Sequence, residues 1–369
     1  MIIMKNLTAM SCKYIALFIV SFLPVVNASA QGASETRSYM RTFPVKKDAV
    51  LEVNNKYGRV EITTWKKDSV SVRAEVKASA SNHSKASKMF DEITIKITDA
   101  GNLILAQTVF DQSINAFLEN FKGMTSKVIN YDSQVEIDYY ISVPENINLR
   151  IENRYGDVFL EKTEGNVDLT ISNGDLKADQ PGKRSNMNLS FCDATISVFI
   201  SGEIQSSFSE ITIGEAKKVS ITSISSKYRI NNAKDIEVES RRDDMFIDNI
   251  SSLRGDSYFT DFEIGTLTGT IDLVTRYGNL DVNSINKNFE SVNINSAFSD
   301  LSLEFEQPAS YRFEIRTMNT FLALPSSIKS EEKSLNSDKK EFITTGTTGQ
   351  EQGNRILKID ANRGKIYVK

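Results

Sequence analysis

Histidine, cysteine, tryptophan and proline are scarce in this chain: its 369 residues include one histidine, two cysteines, one tryptophan and six prolines. Cys12, Cys192 and His83 cannot assemble a zinc site of the usual Cys/His type. Histidine acid–base chemistry would rest on His83 alone, in the polar run SNHSKAS, where it reads as a surface residue. A Gly-x-Ser-x-Gly elbow, a phosphate loop and a dinucleotide fingerprint are all missing. A basic excess is missing too: 44 Lys and Arg stand against 48 Asp and Glu, which gives no footprint for nucleic acid. What remains is 40% hydrophobic and 25% charged, the profile of an ordered globular or repeat protein. The length exceeds the roughly 100 to 200 residues of one domain, so the chain is either two domains or one elongated array.

Residues 1–30 read as an export signal. Lys5 and Lys13 give a basic start, Tyr14 to Val26 is an apolar stretch, and Ala28-Ser29-Ala30 is an A-x-A cleavage site before Gln31. The apolar stretch falls short of the roughly 20 residues that span a bilayer, so no membrane span is expected in the mature chain. Cleavage leaves Cys192 as a single thiol, which excludes an intrachain disulfide and fits a small residue packed in a turn.

The rest of the chain repeats. LEVNNKYGRVEI, LRIENRYGDVFL and IDLVTRYGNLDV share a register around Gly58, Gly156 and Gly278. With that small residue as position zero, further copies centre on Gly174, Ala194, Ser209, Ser226, Asp243, Thr260, Ser299, Thr320 and Gly364, spaced 15 to 21 residues apart from Gly156 to Thr320. Positions two and four after zero are apolar or aromatic in every copy, from Val60 and Ile62 to Ile366 and Val368. Position five before zero is apolar except at Gly255. Strand side chains alternate between faces, so each copy is two short strands joined at a corner formed by the small residue. The corner glycines are Gly58, Gly156, Gly174, Gly278 and Gly364. Three before zero, Ser206, Ser223, Ser240, Ser257, Thr275, Ser296 and Thr317 suggest a stacked hydroxyl ladder.

A unit this short cannot close its own core, so the pattern predicts an all-β parallel solenoid, or β-helix. Antiparallel hairpins in a sandwich are the competing architecture, but they would not demand the same inward positions in every copy. Residues 31–148 read as an N-terminal β-rich cap holding the first copy, a short helix over Lys85 to Phe90 and a polar or helical patch from Gln112 to Lys127. Residues 149–328 hold the repeats, 329–354 a mobile polar loop and 355–369 the last coil. The segments FPVKKDAVLEVNNKYGRVEITTW and YISVPENINLRIENRYGDVFLEK, with the recurring small-residue corners, resemble the bacterial putative adhesin family of exported β-strand-repeat proteins of the cell envelope. The resemblance implies export, to the periplasm or outer surface, and a right-handed β-helical body. It supplies no catalytic residues.

Three features carry candidate chemistry. Acids one residue after zero, at Asp157, Asp175, Glu210, Asp244, Asp261 and Asp300, would stack about 4.8 Å apart and could recruit calcium, although Gly-Asp is also ordinary turn chemistry. Turn formation is the preferred reading, so no cofactor is expected. The aromatics just before zero include Phe259, Tyr277 and Phe298; exposed, they would contact sugar rings, and buried, they would seal a corner. Glu239 to Asp244, ESRRDD, is the densest outward charge cluster and reads as a solvated face. The sequence therefore points to a non-enzymatic binding surface for an envelope protein or glycan. A polysaccharide-active lyase or hydrolase is the alternative, and it would need carboxylates gathered in one groove.

Overall fold

In the computed structural model, residues 33–111, 133–338, 340–349 and 354–369 are described. The export signal and the patch from Gln112 to Lys127 lie outside them. The described chain is all-β, with twenty-four strands and one short helix.

The strands form where β-branched and aromatic residues alternate with polar ones, because that alternation buries one face of an extended chain. They start with β1 (Ala33–Pro44), β2 (Val50–Lys56), β3 (Val60–Trp65) and β4 (Ser69–Ala80), followed by β5 (Ile93–Asp99), β6 (Leu103–Phe110) and β7 (Ser133–Pro144). The repeats run through β8 (Asn148–Arg154), β9 (Val158–Leu160), β10 (Asn166–Ser172), β11 (Leu176–Ala178) and β12 (Arg184–Ser190). Four long strands come next, β13 (Asp193–Ser207), β14 (Glu210–Ile224), β15 (Lys227–Arg241) and β16 (Asp244–Tyr258). The chain ends with β17 (Asp261–Arg276), β18 (Asn279–Ile285), β19 (Ser291–Ala297), β20 (Asp300–Phe305), β21 (Tyr311–Ala323), β22 (Lys329–Ser334), β23 (Glu341–Thr348) and β24 (Ile356–Val368).

Successive copies pair in parallel, residue on equivalent residue. Ile211, Tyr228, Met245 and Phe262 sit side by side on β14 to β17. The same column extends through Ala194, Leu176, Val158 and Val60 to Tyr139 on one side, and through Leu280, Leu301 and Ile366 to Leu322 on the other. One apolar core follows this column. Of the inward positions two and four after zero, all are buried except Val198, Leu322 and Leu324, which are half-buried.

The structure corrects the register in one copy. Ala194 pairs with Leu176 and Ile211, each two residues past its own corner, so the corner of that copy is Cys192. Strand alternation has period two, so a two-residue slip keeps the residues beside the corner on their proper faces and is hard to see in the sequence. It also explains Val198, which the slip had placed inward.

Both ends of the stack depart from the repeat. At the start, β2 pairs in parallel with β6 and β3 with β7, so β6 and β7 form a thirteenth copy whose corner is interrupted by residues 112–132. Antiparallel β1, β4 and β5 extend these sheets. The helix α1 (His83–Asp91) is capped by Asn82, whose side chain accepts from the Lys85 amide at 2.9 Å, and it buries Ala86 and Phe90 four residues apart. At the far end, β24 is inserted between β19/β20 and β21. The copy at Thr320 is therefore outermost in space, although Gly364 comes last in the chain. Residues 329–354, expected as a polar loop, contain the antiparallel hairpin β22–β23 laid on β21. The run EFITTGTT carries enough β-branched residues to form a strand. KSEEKS is polar on both sides because it is the exposed outermost strand, where charge discourages further pairing.

Candidate functional site

Each corner turns through one left-handed residue. Immediately before position zero, Tyr57, Tyr155, Asn173, Phe191, Phe208, Ser225, Arg242, Phe259, Tyr277, Phe298, Asn319 and Arg363 all have φ between 50° and 66°. This conformation costs a non-glycine residue about 1–2 kcal/mol. Its amide is satisfied by the neighbouring copy: Phe208 N–H donates to the Ile224 carbonyl at 3.1 Å, and Ser225 N–H to that of Arg241 at 2.9 Å. At the tight corners, a Cβ on Gly156 would meet the Gly58 carbonyl and one on Gly174 the Gly156 carbonyl, which is why glycine stands there. Gly278 and Gly364 occupy the same place against Thr260 and Ser299.

The outward aromatics stack along this edge. Phe259, Tyr277 and Phe298 come together with ring centroids 5.0 and 4.9 Å apart and planes within 23° and 13° of parallel. Tyr57 stacks on Tyr155 at 5.4 Å, and Phe191 on Phe208 at 5.1 Å. Phe191 and Phe208 are 58% and 56% exposed, more than Phe259 at 47%. Neither of these earlier stacks is among the candidates drawn from the sequence, where the corner set at Ala194 hides Phe191. The signal was available: SFCDAT matches SFSEIT, and moving the corner to Cys192 replaces spacings of 20 and 15 with 18 and 17. Cations bracket the stacks, with Lys56 Nζ 4.7 Å from the Tyr57 ring centre and the Arg363 guanidinium 4.8 Å from that of Phe298. Because the rings stack face to face, an uninterrupted run turns only its ring edges to solvent. Ring faces are open only where a run stops.

The acids one residue past the corner serve the backbone. An Asp157 carboxylate oxygen accepts from the Asp175 amide at 3.0 Å, Asp261 from Asn279 at 2.8 Å and Asp300 from Lys365 at 2.9 Å, each tying one copy to the next. Partial burial, with Asp157 and Asp193 on either side, pushes the Asp175 carboxyl above its usual range. Among the described residues, no three His, Cys, Asp or Glu side chains gather as a metal site.

The ESRRDD cluster divides. Glu239, Arg241, Arg242 and Asp244 are exposed, whereas Asp243 is buried at its corner. Its carboxylate accepts from the Ser223 and Ser240 hydroxyls and the Ser226 amide, each at 2.6 Å, and from the Arg241 amide at 3.0 Å. The hydroxyls three before zero are likewise buried; Ser206 bonds to the Tyr228 hydroxyl at 2.7 Å and Ser257 donates to the Val274 carbonyl at 3.4 Å, whereas the Thr275 and Ser296 hydroxyls have no hydrogen-bond partner among the described residues. His83 opens the helix, exposed. Cys192 is buried, and its burial pushes the thiol up.

Two shallow depressions stand out. One of about 320 Å³ is lined by residues such as Glu215, Lys217 and Lys234, and one of about 370 Å³ by Glu61, Arg73, Trp65 and Tyr140; neither gathers three carboxylates. Among the described residues, no helix is long and apolar enough to cross a membrane.

No family model and no curated protein matches the chain. Among solved structures, similarity is found to a "putative cell adhesion protein" from Clostridium sporogenes, at 9% identity over 91% of this chain and 99% of that one, with a TM-score of 0.21. A "putative adhesin" from Bacteroides fragilis is similar at 10% identity over 90% and 97%, TM-score 0.18. Another from Parabacteroides merdae is similar at 8% over 73% and 92%, TM-score 0.19. At TM-scores of 0.18 to 0.21 these likenesses carry no argument.

Proposed function

We propose that this chain is an exported, non-enzymatic, right-handed parallel β-solenoid whose aromatic corner edge binds a glycan or protein of the cell envelope. The observation that carries the reading is the exposed stack of Phe259, Tyr277 and Phe298, extended by Phe191–Phe208 and Tyr57–Tyr155 along the same edge. Ser225 and Arg242 adopt the same left-handed corner without a ring, so the corner closes without aromatics. Contiguous exposed apolar side chains on a soluble protein mark interaction surfaces more often than chance.

The test is retention of the purified chain on envelope or glycan material. A Phe259→Ser, Tyr277→Ser double change is expected to abolish retention and leave the strand signal in circular dichroism unchanged. Unchanged retention removes the aromatic edge from consideration. Turnover of an acidic polysaccharide by the same preparation would decide for a lyase or hydrolase. Export is checked on the envelope fraction, where the mature chain is expected to start at Gln31.

A further inference from the structure

The aromatic edge has a gap, and its charge reverses at the same place. In ladder order the edge reads Phe191, Phe208, Ser225, Arg242, Phe259, Tyr277, Phe298, set by backbone bonds from each corner amide to the neighbouring copy. Phe208 stacks on Phe191 on one side; on the other, the place of the next ring is held by Ser225. The Ser225 side chain forms no hydrogen bond among the described residues, and the Arg242 guanidinium forms no ion pair or ring contact among them. In this copy alone among those at Ser209, Ser226 and Asp243, the residue after the corner is basic: Lys227 stands between Glu210 and Asp244. Glu210 is engaged by Arg229 at 3.5 Å, which leaves Asp244 as the opposing carboxylate of the three copies after their corners.

We propose that the Ser225 position is a ligand slot in which a sugar ring bearing a carboxylate, a hexuronate of an oligosaccharide, takes the place of the missing aromatic. Neighbouring copies are one strand spacing apart, about 4.8 Å, so a flat ring at the level of Ser225 meets the open face of Phe208 at the distance the other rings keep. The apolar face of a pyranose packs on an aromatic ring. Its carboxylate is met by Arg242, whose planar fork suits a carboxylate. Lys227 adds a second positive charge, and the Ser225 hydroxyl meets a ring hydroxyl. Beside Asp157, Asp175, Asp261 and Asp300 an anionic ring would be repelled, and the other basic residues that follow a corner, Arg59 and Lys365, already lie against carboxylates, those of Asp138 and Asp300, each at 4.0 Å. The slot rests on the reading of the edge as a binding surface and assigns the class of ligand.

The experiment titrates the full mature chain with galacturonate trimers by calorimetry at low and moderate salt, with neutral galactose trimers as the control. The uronate is expected to bind, to weaken as salt rises, and to bind at least tenfold more tightly than the neutral sugar. Ser225→Phe fills the slot with a ring the corner already accepts at Phe208 and Phe259, so it is expected to fold with an unchanged or higher denaturation midpoint and to lose binding at least tenfold. Arg242→Gln is expected to lose about tenfold for the uronate and nothing for the neutral sugar. No uronate binding, equal binding of the two sugars, or full uronate binding by Ser225→Phe would each overturn the slot. If Ser225→Phe binds uronate fully while Phe259→Ser, Tyr277→Ser loses envelope retention, the slot falls and the wider reading of the edge stands.

Discussion

A ring stacked on its neighbour contributes about 0.5–1.5 kcal/mol beyond area burial, close to the about 1–2 kcal/mol that a left-handed residue costs. The aromatics at the corners therefore offset the strain of the positions they occupy, and no single ring dominates stability. The inward positions behave differently. Leu280 is fully buried, whereas its neighbour Asp281 faces solvent between Glu263 and Ser302. Leu280→Asp strands a charge in the apolar column and is expected to cost more than about 3 kcal/mol. Asp281→Ser is expected to stay within about 0.5 kcal/mol. The check is the pair of denaturation midpoints; equal shifts would refute the assigned faces.

Strands in this chain gain their partners from distant sequence. β24 pairs with β19 and β20 on one side and β21 on the other, so the final segment closes the ladder from within. Without it, β20 and β21 each present an unpaired apolar edge, the arrangement that recruits other chains. A chain ending at Asn354 is therefore expected to self-associate on size exclusion and to lose amide protection across β21. A truncated chain that stays monomeric with β21 still protected would show that β24 is not needed there. The hairpin β22–β23 depends on the same strand, because it rests on β21 alone.

Thirteen stacked copies have twelve spacings between them, and β4 and β1 at one end with β23 and β22 at the other add four, so at about 4.8 Å each the column runs roughly 77 Å, which as a rod has a radius of gyration of about 22 Å from its length alone. A compact fold of the same chain length would have a radius of gyration of about 20 Å. Small-angle scattering of the mature chain is expected to give a larger value with the profile of a rod; a value at the compact figure would contradict a continuous stack. On the proposed reading a column of this length sets out its corner residues in a line, so a polymer ligand would contact several copies at once and gain avidity without new chemistry.

The repeat, the all-β class and the inward columns were legible in the sequence because strand burial has a period of two and the copies preserve it. Phe259, Tyr277 and Phe298 were legible as one run because their copies carry unambiguous small corners. The slip at Cys192 was not, since a shift of two residues keeps the side chains beside the corner on their own faces and misplaces only Val198. Nor was the inward turn of Asp243, whose environment of serine hydroxyls and amides comes from two neighbouring copies at once. The insertion of β24 ahead of β21, and the copy split between β6 and β7, reverse or interrupt chain order, and only the three-dimensional pairing could reveal them. The edge-on presentation of the rings and the gap at Ser225 belong to that same category. Composition places an aromatic at a corner, but whether its face is covered depends on what the next copy puts beside it.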